Sequence, residues 1–318
     1  MHRIDLDTLY ERAGEYDAAV ASRTEVDRFC TSSDWILPAH EELMPPREPL
    51  LFRDGDAWIA FARGRHERGF TYLEPLEASW ALASPVVGAE PEALVAVCAN
   101  HRWDVLLLAG LLDGTDAKRR LLAELGRRYD LRRGATTVRH VADLAAGVDG
   151  YLARRSRNFR RSLSRARRRA RDAGVDIVAA DREPPDAAIA RVLAVDARSW
   201  KGRAGVGIEG SGLRGFYARM VGRLAARGAL RLRFARHGDR DVAFILGGVF
   251  GDTYRGLQFA YDADWARIGL GNLCQIEQMA ALCSEGIAVY DLGTTGGRYK
   301  RRWADRTVAS TLYVVVNA

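Results

Sequence analysis

The sequence predicts an α/β fold of the α+β type, with two tandem domains that each contain a mixed, mostly antiparallel sheet flanked by helices. Three observations predict it. Short strand-like runs follow one another in meanders, helical segments flank these runs, and the same order of elements occurs in both halves of the chain. The halves share element order but no residue-level repeat. We place the domains at 1–149 and 150–318.

The first half begins with a helical pattern, including a helix over residues 23–33. Short strands are then predicted for "LLFRD", "AWIAFARG", "FTYLE" and "SWALASP", with turns at "DGD" and "GRHERG". "EPEALVAVCANH" and "DAKRRLLAELGRRY" are helical patterns on either side of the apolar strand "DVLLLAG". The strand "ATTVRHVA" closes this half.

The second half repeats this order after an arginine-rich helix. Three consecutive strands, "ALRLRFARH", "DVAFILGGVFG" and "TYRGLQFAYD", precede a glycine-bearing turn, a long helix and the strand "AVYDLG". This order predicts a parallel strand–helix–strand unit. Gly269 and Gly271 at the mouth of its helix would let an anion such as a pyrophosphate approach the free backbone N–H groups. Glycine turns before helices are common, so the turn alone is weak evidence.

The positive charge of the chain is concentrated in one helix. The net charge is +7, and residues 154–171 hold ten arginines and no acid, which leaves 7 − 10 = −3 for the remainder. A narrow apolar face follows helical spacing and consists of Leu152, Phe159, Leu163, Ala166 and Ala170. The arginines on the other faces form either a solvated surface or a contact for a phosphate-rich ligand or RNA.

Several classes of protein are disfavoured by composition. No apolar run is long enough to span a membrane, and the N-terminus lacks the apolar core of a signal peptide. The four cysteines are scattered without metal-ligand spacing, and the six histidines show no pairing. We therefore expect a cytoplasmic protein with free thiols, no metal site and no membrane contact.

The stretch "GLQFAYDADWARIGLGNLCQIEQMAALCSEGIAVYDLG", together with "YKRRWA" after it, resembles the acyl-transfer core of the GNAT superfamily. It is most similar to the CelD-like branch, a bacterial-type group related to the Fem aminoacyl-transferases. The resemblance extends to the helix "RSRNFRRSLSRARRRARDAGV" and covers residues 150–305. The first half matches in layout alone, so the resemblance implies a degenerate GNAT-like domain there.

The resemblance implies an N-acyltransferase that moves an acyl group from acyl-coenzyme A to an amine, with acetyl as the first candidate for the acyl group. The pantetheine arm would follow the strand residues Leu257, Gln258, Phe259 and Ala260. The pyrophosphate would meet the turn formed by Arg267, Ile268, Gly269, Leu270, Gly271 and Asn272. The sequence departs from the usual superfamily loop at Ala266, where Gln or Arg is expected and the arginine instead comes one residue later.

Acyl transfer requires a base for the amine, a group that stabilises the oxyanion and an acid for the leaving thiolate. By resemblance, Asp262 is the candidate base, Lys300 the oxyanion partner and Tyr299 the acid. Tyr299 and Lys300 are expected on a mobile loop after the glycine-rich "TTGG". Asp262 could equally cap a turn, Tyr299 could be structural, and Lys300 could belong to a solvated basic loop. Candidate acceptor-side residues are Trp200, Lys201 and Tyr254.

Two other functions stay open at the level of sequence. A Fem-like enzyme would form the amide bond with an aminoacyl-tRNA donor, which the arginine-rich helix favours. A non-catalytic binding module is the other alternative, although the intact "GLGN" turn and "YK" pair argue against it. The acceptor could be a small-molecule or peptide amine, and the sequence does not predict the oligomeric state.

Overall fold

The computed structural model describes residues 1–43, 45–294 and 297–317. It divides into two compact units. The first comprises Met1–Val138 and the closing segment that begins at Val308, and the second comprises Arg139–Thr307. This division differs from the predicted boundary at 149/150 because one continuous strand includes the junction. The chain's closing segment also belongs to the first unit rather than the second.

The first unit contains helices α1 (Leu6–Glu11), α2 (Ala13–Ala21), α3 (Arg28–Thr31), α4 (Ser33–Glu42), α5 (Pro91–Ala99) and α6 (Asp116–Gly126). Its strands are β1 (His2–Ile4), β2 (Glu48–Asp54), β3 (Ala57–Arg65), β4 (Thr71–Pro75), β5 (Val86–Val87), β6 (Val105–Leu108), the first part of β7 (Asp130–Asp143) and the last strand of the chain, β13 (Arg306–Val316). The strands lie in the order β1-β2-β3-β4-β6-β13-β7, and β5 pairs with β3. β4 and β6 are parallel, with α5 between them in the chain.

The second unit contains helices α7 (Gly147–Ala153), α8 (Arg157–Asp172), α9 (Pro185–Arg198), α10 (Trp200–Arg203), α11 (Arg214–Ala226), α12 (Leu270–Ser284) and α13 (Gly297–Trp303). Its strands are the last part of β7, β8 (Val175–Ala179), β9 (Leu230–His237), β10 (Arg240–Phe250), β11 (Thr253–Tyr261) and β12 (Val289–Asp291). They lie in the order β7-β12-β11-β10-β9-β8. Only the β11–β12 pair is parallel among the pairings described for this unit. Two units with mixed, mostly antiparallel sheets flanked by helices confirm the predicted fold class.

The arginine-rich helix forms as predicted. Ser156 caps α8, because its hydroxyl accepts the N–H of Phe159 at 3.2 Å. The apolar face is buried, and Leu152 of α7 packs against the same core; the buried residues are Phe159, Leu163, Ala166 and Ala170. Docking of this narrow face therefore holds the helix on the second unit while most of its arginines stay exposed.

Three local predictions are wrong. The helix predicted over 23–33 is replaced by α3 and α4, which Ser32 separates because its backbone is extended. The segment "SWALASP" is a loop, since the buried carboxylate of Glu77 accepts N–H groups from Trp80, Leu82 and Ala83 instead of leaving them to a strand partner. The basic loop after β12 contains α13. The Thr295 and Gly296 of "TTGG" lie outside the described residues.

Within the part of the chain that the structure describes, no helix has the length and apolar character that crossing a membrane requires.

Candidate active site

The parallel strands β11 and β12 pair over three residues and then separate. The pairs run from Thr253 and Val289 to Arg255 and Asp291, where β12 ends while β11 continues to Tyr261. Beyond Arg255, no strand pairs with this edge of β11 in the described residues. A fork between two strands exposes backbone N–H and C=O groups that a ligand can meet.

A cavity of about 460 Å³ opens at this fork. Two adjacent residues of β11 contact different helices at the cavity. Gln258 accepts a hydrogen bond from Lys201 of α10, whereas Phe259 packs beside Gly271 of α12 and stacks on Tyr299 of α13. The lining residues come from β11, from the segments around it and from three helices: Ser199, Trp200, Lys201, Ile245, Gly256, Leu257, Gln258, Phe259, Ala260, Tyr261, Gln275, Tyr290, Leu292, Tyr299 and Lys300. Four predicted donor-site residues, 257–260, are therefore at the cavity.

The turn before α12 is a left-handed N-cap. Gly269 has φ +88°, and a Cβ there would lie 3.3 Å from the Cβ of Ala166 on α8. Both the backbone conformation and the close packing thus favour glycine. Arg169 of α8 donates to the carbonyl of Arg267 at 2.9 Å, so the arginine-rich helix also supports the turn.

The backbone N–H groups of this turn fall into two sets. Ile268 donates to Trp265 O at 3.1 Å and Asn272 donates to Gly269 O at 3.1 Å, so these two amides are used within the turn. Among the residues that the structure describes, the N–H groups of Gly269, Leu270 and Gly271 have no recorded acceptor. They lie at the positive end of the helix dipole, which suits an anion.

Gly271 connects this turn to the cavity wall. A Cβ at Gly271 would lie 3.1 Å from Cε2 of Phe259. The ring of Phe259 in turn stacks on Tyr299, with centroids 5.6 Å apart and planes at 28°. A side chain at 271 would press on this stack, so packing as well as access to the helix N-terminus favours glycine.

Tyr299 lies on α13, a helix where the sequence suggests a loop. Its hydroxyl donates to Oε1 of Gln275 at 3.0 Å. Burial, followed by the nearby Cys274 and tyrosines, raises the pKa of Tyr299 above its ordinary value. The phenol is therefore protonated at neutral pH and can act as a proton donor.

Two half-buried lysines line the cavity, Lys201 from α10 and Lys300 from α13. Lys201 follows Ser199, whose hydroxyl caps α10, and its Nζ donates to Oε1 of Gln258 at 3.0 Å. Gln258 is itself oriented, because its Nε2 donates to the hydroxyl of Tyr217 at 3.0 Å. Lys300 stands beside Gly293, where a Cβ would meet Nζ at 3.3 Å. Burial lowers the pKa of both lysines, to about 8 for Lys300, where Arg255 adds to the effect.

A buried ion cluster lies at the root of the fork. Asp291 binds the guanidinium groups of Arg139 and Arg255 and also accepts the N–H of Gly293 at 2.8 Å. All three charged side chains are almost fully buried. The cluster fixes the end of β12, where the strands diverge, and leaves a net positive charge beneath Lys300.

Two predicted site residues lie elsewhere. Asp262 is fully buried, forms ion pairs with Arg198 and Arg240, and accepts the N–H of Asp264 at 3.1 Å. It caps the short helix Ala263–Trp265 and does not line the cavity, which removes the geometric support for a base. Tyr254 is a core residue rather than an acceptor contact, since its side chain is 0% exposed and packs against Tyr290.

The structure adds residues that sequence reasoning missed. Gln275 is 2% exposed, lines the cavity and holds Tyr299, while its Nε2 has no partner in the described residues. A glutamine on the mainly apolar buried face of α12 is the signal that could have revealed it, although the same face also buries Gln278. Trp200, by contrast, is a predicted residue that lines the cavity and is 59% exposed. Within the described ranges, no group of three or more His, Cys, Asp or Glu residues could bind a metal ion.

Comparison with protein families identifies the region that contains this cavity. Residues 157–301 match a family model described as an acetyltransferase (GNAT) domain. No curated protein matches the chain. The matched range includes α8, the fork, the turn before α12 and most of α13, and therefore all of the cavity-lining residues named above.

Solved structures share the fold over nearly the whole chain. FemX covers 98% of this chain and 97% of its own, with a TM-score of 0.67 and 13% identity. A conserved protein of unknown function from Bacteroides thetaiotaomicron covers 95% and 97%, with a TM-score of 0.68 and 13% identity. L-PGS from Bacillus licheniformis covers 99% and 93%, with a TM-score of 0.57 and 13% identity. Residues 157–301 therefore carry a domain that matches the GNAT acetyltransferase model, and the chain as a whole shares the fold of FemX.

Proposed function

We propose that the protein transfers an acyl group from acyl-coenzyme A to an amine, with acetyl as the first candidate for the acyl group. The observation that carries this proposal is the fork between β11 and β12, which opens next to the uncapped N–H groups of α12. A fork supplies an extended edge for a pantetheine arm, and a helix N-terminus supplies donors for a pyrophosphate. Such a donor is consistent with the expected cytoplasmic location.

The residues at the fork fit a coenzyme A thioester. The pyrophosphate would be held by the N–H groups of Gly269, Leu270 and Gly271, with Arg267 exposed beside them. The pantetheine amides would bond to the free edge of β11 over residues 257–260. The thioester carbonyl would then lie in the cavity between the walls that carry Lys201 and Tyr299.

The chemistry needs one bond to form and one to break. The amine nitrogen attacks the thioester carbonyl carbon, the carbon–sulfur bond breaks, and the thiolate accepts a proton. Tyr299 is the group we assign to donate that proton, and Lys300 is the group we assign to face the developing oxyanion. Trp200 and Lys201 line the same cavity from α10, where we place the acceptor.

Calorimetric titration with coenzyme A and acetyl-coenzyme A tests the donor. We expect one molecule bound per chain. Thiol release from acetyl-coenzyme A, followed with a chromogenic disulfide, should then depend on an added amine; the panel would contain amino sugars, amino acids and short lysine peptides. Absence of coenzyme A binding by the parent protein would refute the donor assignment.

A second donor, aminoacyl-tRNA, is favoured by one specific observation. Arg157, Arg161, Arg165 and Arg168 are exposed on α8, and no ion pair is found for these four in the described residues. If they contact RNA, affinity should fall with salt at a log–log slope of about −0.7 for each phosphate neutralised on a single strand. Anisotropy with labelled tRNA measures this slope; a flat response, or no binding at low salt, excludes the tRNA donor.

A further inference from the structure

The chain almost completely avoids lysine. Of its 48 basic residues, three are lysines, Lys118, Lys201 and Lys300, which leaves 48 − 3 = 45 arginines. Lys118 is buried in the first unit and bonded to Asp113 and two backbone carbonyls. The other two both line the cavity. Arginine remains protonated in proteins, whereas a buried lysine can lose its proton, so Lys201 and Lys300 are the basic side chains of the cavity that can also act as bases.

The cavity contains no carboxylate or imidazole among its described lining residues. Its titratable groups are the two lysines and three tyrosines, Tyr261, Tyr290 and Tyr299. Burial raises the pKa of Tyr290 and Tyr299, so neither is an anion at neutral pH. The carboxylate of Asp262 is held by arginines away from the lining. A base for the attacking amine must therefore come from a lysine, from the acceptor or from solvent.

Lys300 is surrounded mainly by positive charge. Arg255 on β11 and Lys201 on α10 both oppose its protonation. Asp291 on β12 favours protonation, but it is already bound by two arginines, Arg139 and Arg255. On β7, the pKa of His140 is lowered by burial and then by the positive charges of Lys300 and Arg301, so this imidazole adds no negative charge near Lys300. Burial and these cations together bring the pKa of Lys300 to about 8, near the pH at which the enzyme would work.

We propose that Lys300 is the general base of the reaction, an inference that rests on the proposed acyl transfer. Its neutral amine takes a proton from the attacking nitrogen as the carbon–nitrogen bond forms. The same proton makes Lys300 an ammonium at the moment when the carbonyl oxygen becomes negative. The oxyanion then collapses, the carbon–sulfur bond breaks, and Tyr299 protonates the thiolate. Solvent returns the proton from Lys300 to Tyr299, so no proton is gained or lost overall.

The pH dependence of kcat distinguishes this role from that of a permanent cation. A neutral base requires kcat to rise about tenfold per pH unit below pH 8 and to level off above it. An ammonium that only stabilises the oxyanion requires the opposite, a kcat that falls above pH 8. The assay is thiol release from acetyl-coenzyme A with the best amine of the panel at saturation. A falling limb overturns the proposal.

Substitution by arginine gives a second, independent comparison. Lys300→Arg keeps a positive charge but cannot act as a base, so we expect both Lys300→Arg and Lys300→Met to lose about a hundredfold or more in kcat. The rise of kcat towards pH 8 should disappear in Lys300→Met. A rise caused by deprotonation of the acceptor's own amine would persist in that variant. Coenzyme A affinity checks that both variants fold, and Arg301→Met, an exposed change on the same helix, is the matched control. An active Lys300→Arg overturns the proposal.

Competitive labelling with isotopic acetic anhydride measures the amine without any substrate. Because the chain has three lysines, each reports on a separate peptide. Reactivity of Lys300 should be half-maximal near pH 8. Half-maximal reactivity above pH 10 overturns the base role even if transfer occurs. Failure of coenzyme A to bind would instead overturn the proposed function, so the two failures are distinguishable.

Discussion

The two units contain the same strand–helix–strand arrangement, but the helix N-terminus is open to an anion in the second unit and closed to one in the first. β4 and β6 are parallel and joined through α5, as β11 and β12 are joined through α12. α12 follows Gly269, with amides free to bind an anion. α5 instead begins at Pro91, which has no N–H, and follows Glu90, which places a negative charge where an anion would lie.

The surroundings of the first-unit turn reinforce this difference. A Cβ on Gly88 would lie 2.5 Å from the guanidinium of Arg23, so a side chain of the protein already occupies the space beside the turn. Near the end of β4, buried Arg47 binds Glu74 at 2.6 Å and donates to Leu76 O at 2.9 Å. The comparison shows that the same topology can leave its helix N-terminus open or can fill the space around it with the protein's own groups.

The largest effect is expected from removing the hydroxyl of Tyr299, the proposed proton donor of the second unit. Tyr299→Phe should lower turnover by about a hundredfold to a thousandfold while coenzyme A affinity stays the same. Loss of the bond to Gln275 should also lower the free energy of unfolding by about 1–3 kcal/mol. Steady-state kinetics and thermal melts measure the two effects.

Tyr72→Phe in β4 of the first unit is the matched control, and it should leave turnover intact. If Tyr299→Phe retains full kcat and raises only the KM of the acceptor, the hydroxyl binds the acceptor and is not the acid.

An intermediate effect is expected at the glycine turn before α12, where Gly269 holds the N-cap position that Glu90 holds in α5 of the first unit. Gly269→Ala forces a side chain into φ +88° and against Ala166, so the amides of the turn should shift. We expect coenzyme A to bind about tenfold more weakly, or about 1.4 kcal/mol. Titration calorimetry measures the change.

The control for backbone strain is Gly55→Ala in the first unit. Gly55 has φ +56° and open space around a Cβ, so alanine there should destabilise the chain by about 1–2 kcal/mol without affecting coenzyme A. Equal losses of coenzyme A affinity in both variants would mean that general destabilisation, and not the turn, is responsible.

The smallest effect is expected at the N-terminus of α5. Glu90 makes no side-chain cap bond, so Glu90→Ser should supply one and raise stability by up to about 1 kcal/mol. Coenzyme A should still bind at one molecule per chain, because Pro91 and Arg23 remain. A second bound molecule in this variant would show that Glu90 alone closes the first unit to anions.

The sequence was sufficient for features that depend on local pattern. Most of the order of strands and helices, the apolar face of α8 and the glycine turn before α12 follow from periodicity and backbone requirements, and the structure confirms these features. The superfamily was likewise recognisable from the motifs around that turn, which lie within the matched region.

Features that depend on distant contacts were not predictable. Asp262 has the residue type of a base, but Arg198 and Arg240, both remote in sequence, hold it as a cap. The helix at Tyr299 is short and arginine-rich, and its single aromatic pair at helical spacing, Tyr299 and Trp303, is too little to establish a period from sequence. Gln275 acquires its role only because α13 brings Tyr299 to it.

The closing strand sets a constraint on the order in which the protein can be made. Lys118 donates to the carbonyl of Thr311, 193 positions later, and Leu108 pairs with Tyr313. On the ribosome, the sheet of the first unit therefore cannot be completed between β6 and β7 until the second unit has been synthesised. The second unit, complete at Thr307, can fold first. This connectivity therefore allows the reverse of the usual sequence, in which N-terminal domains fold before those that follow.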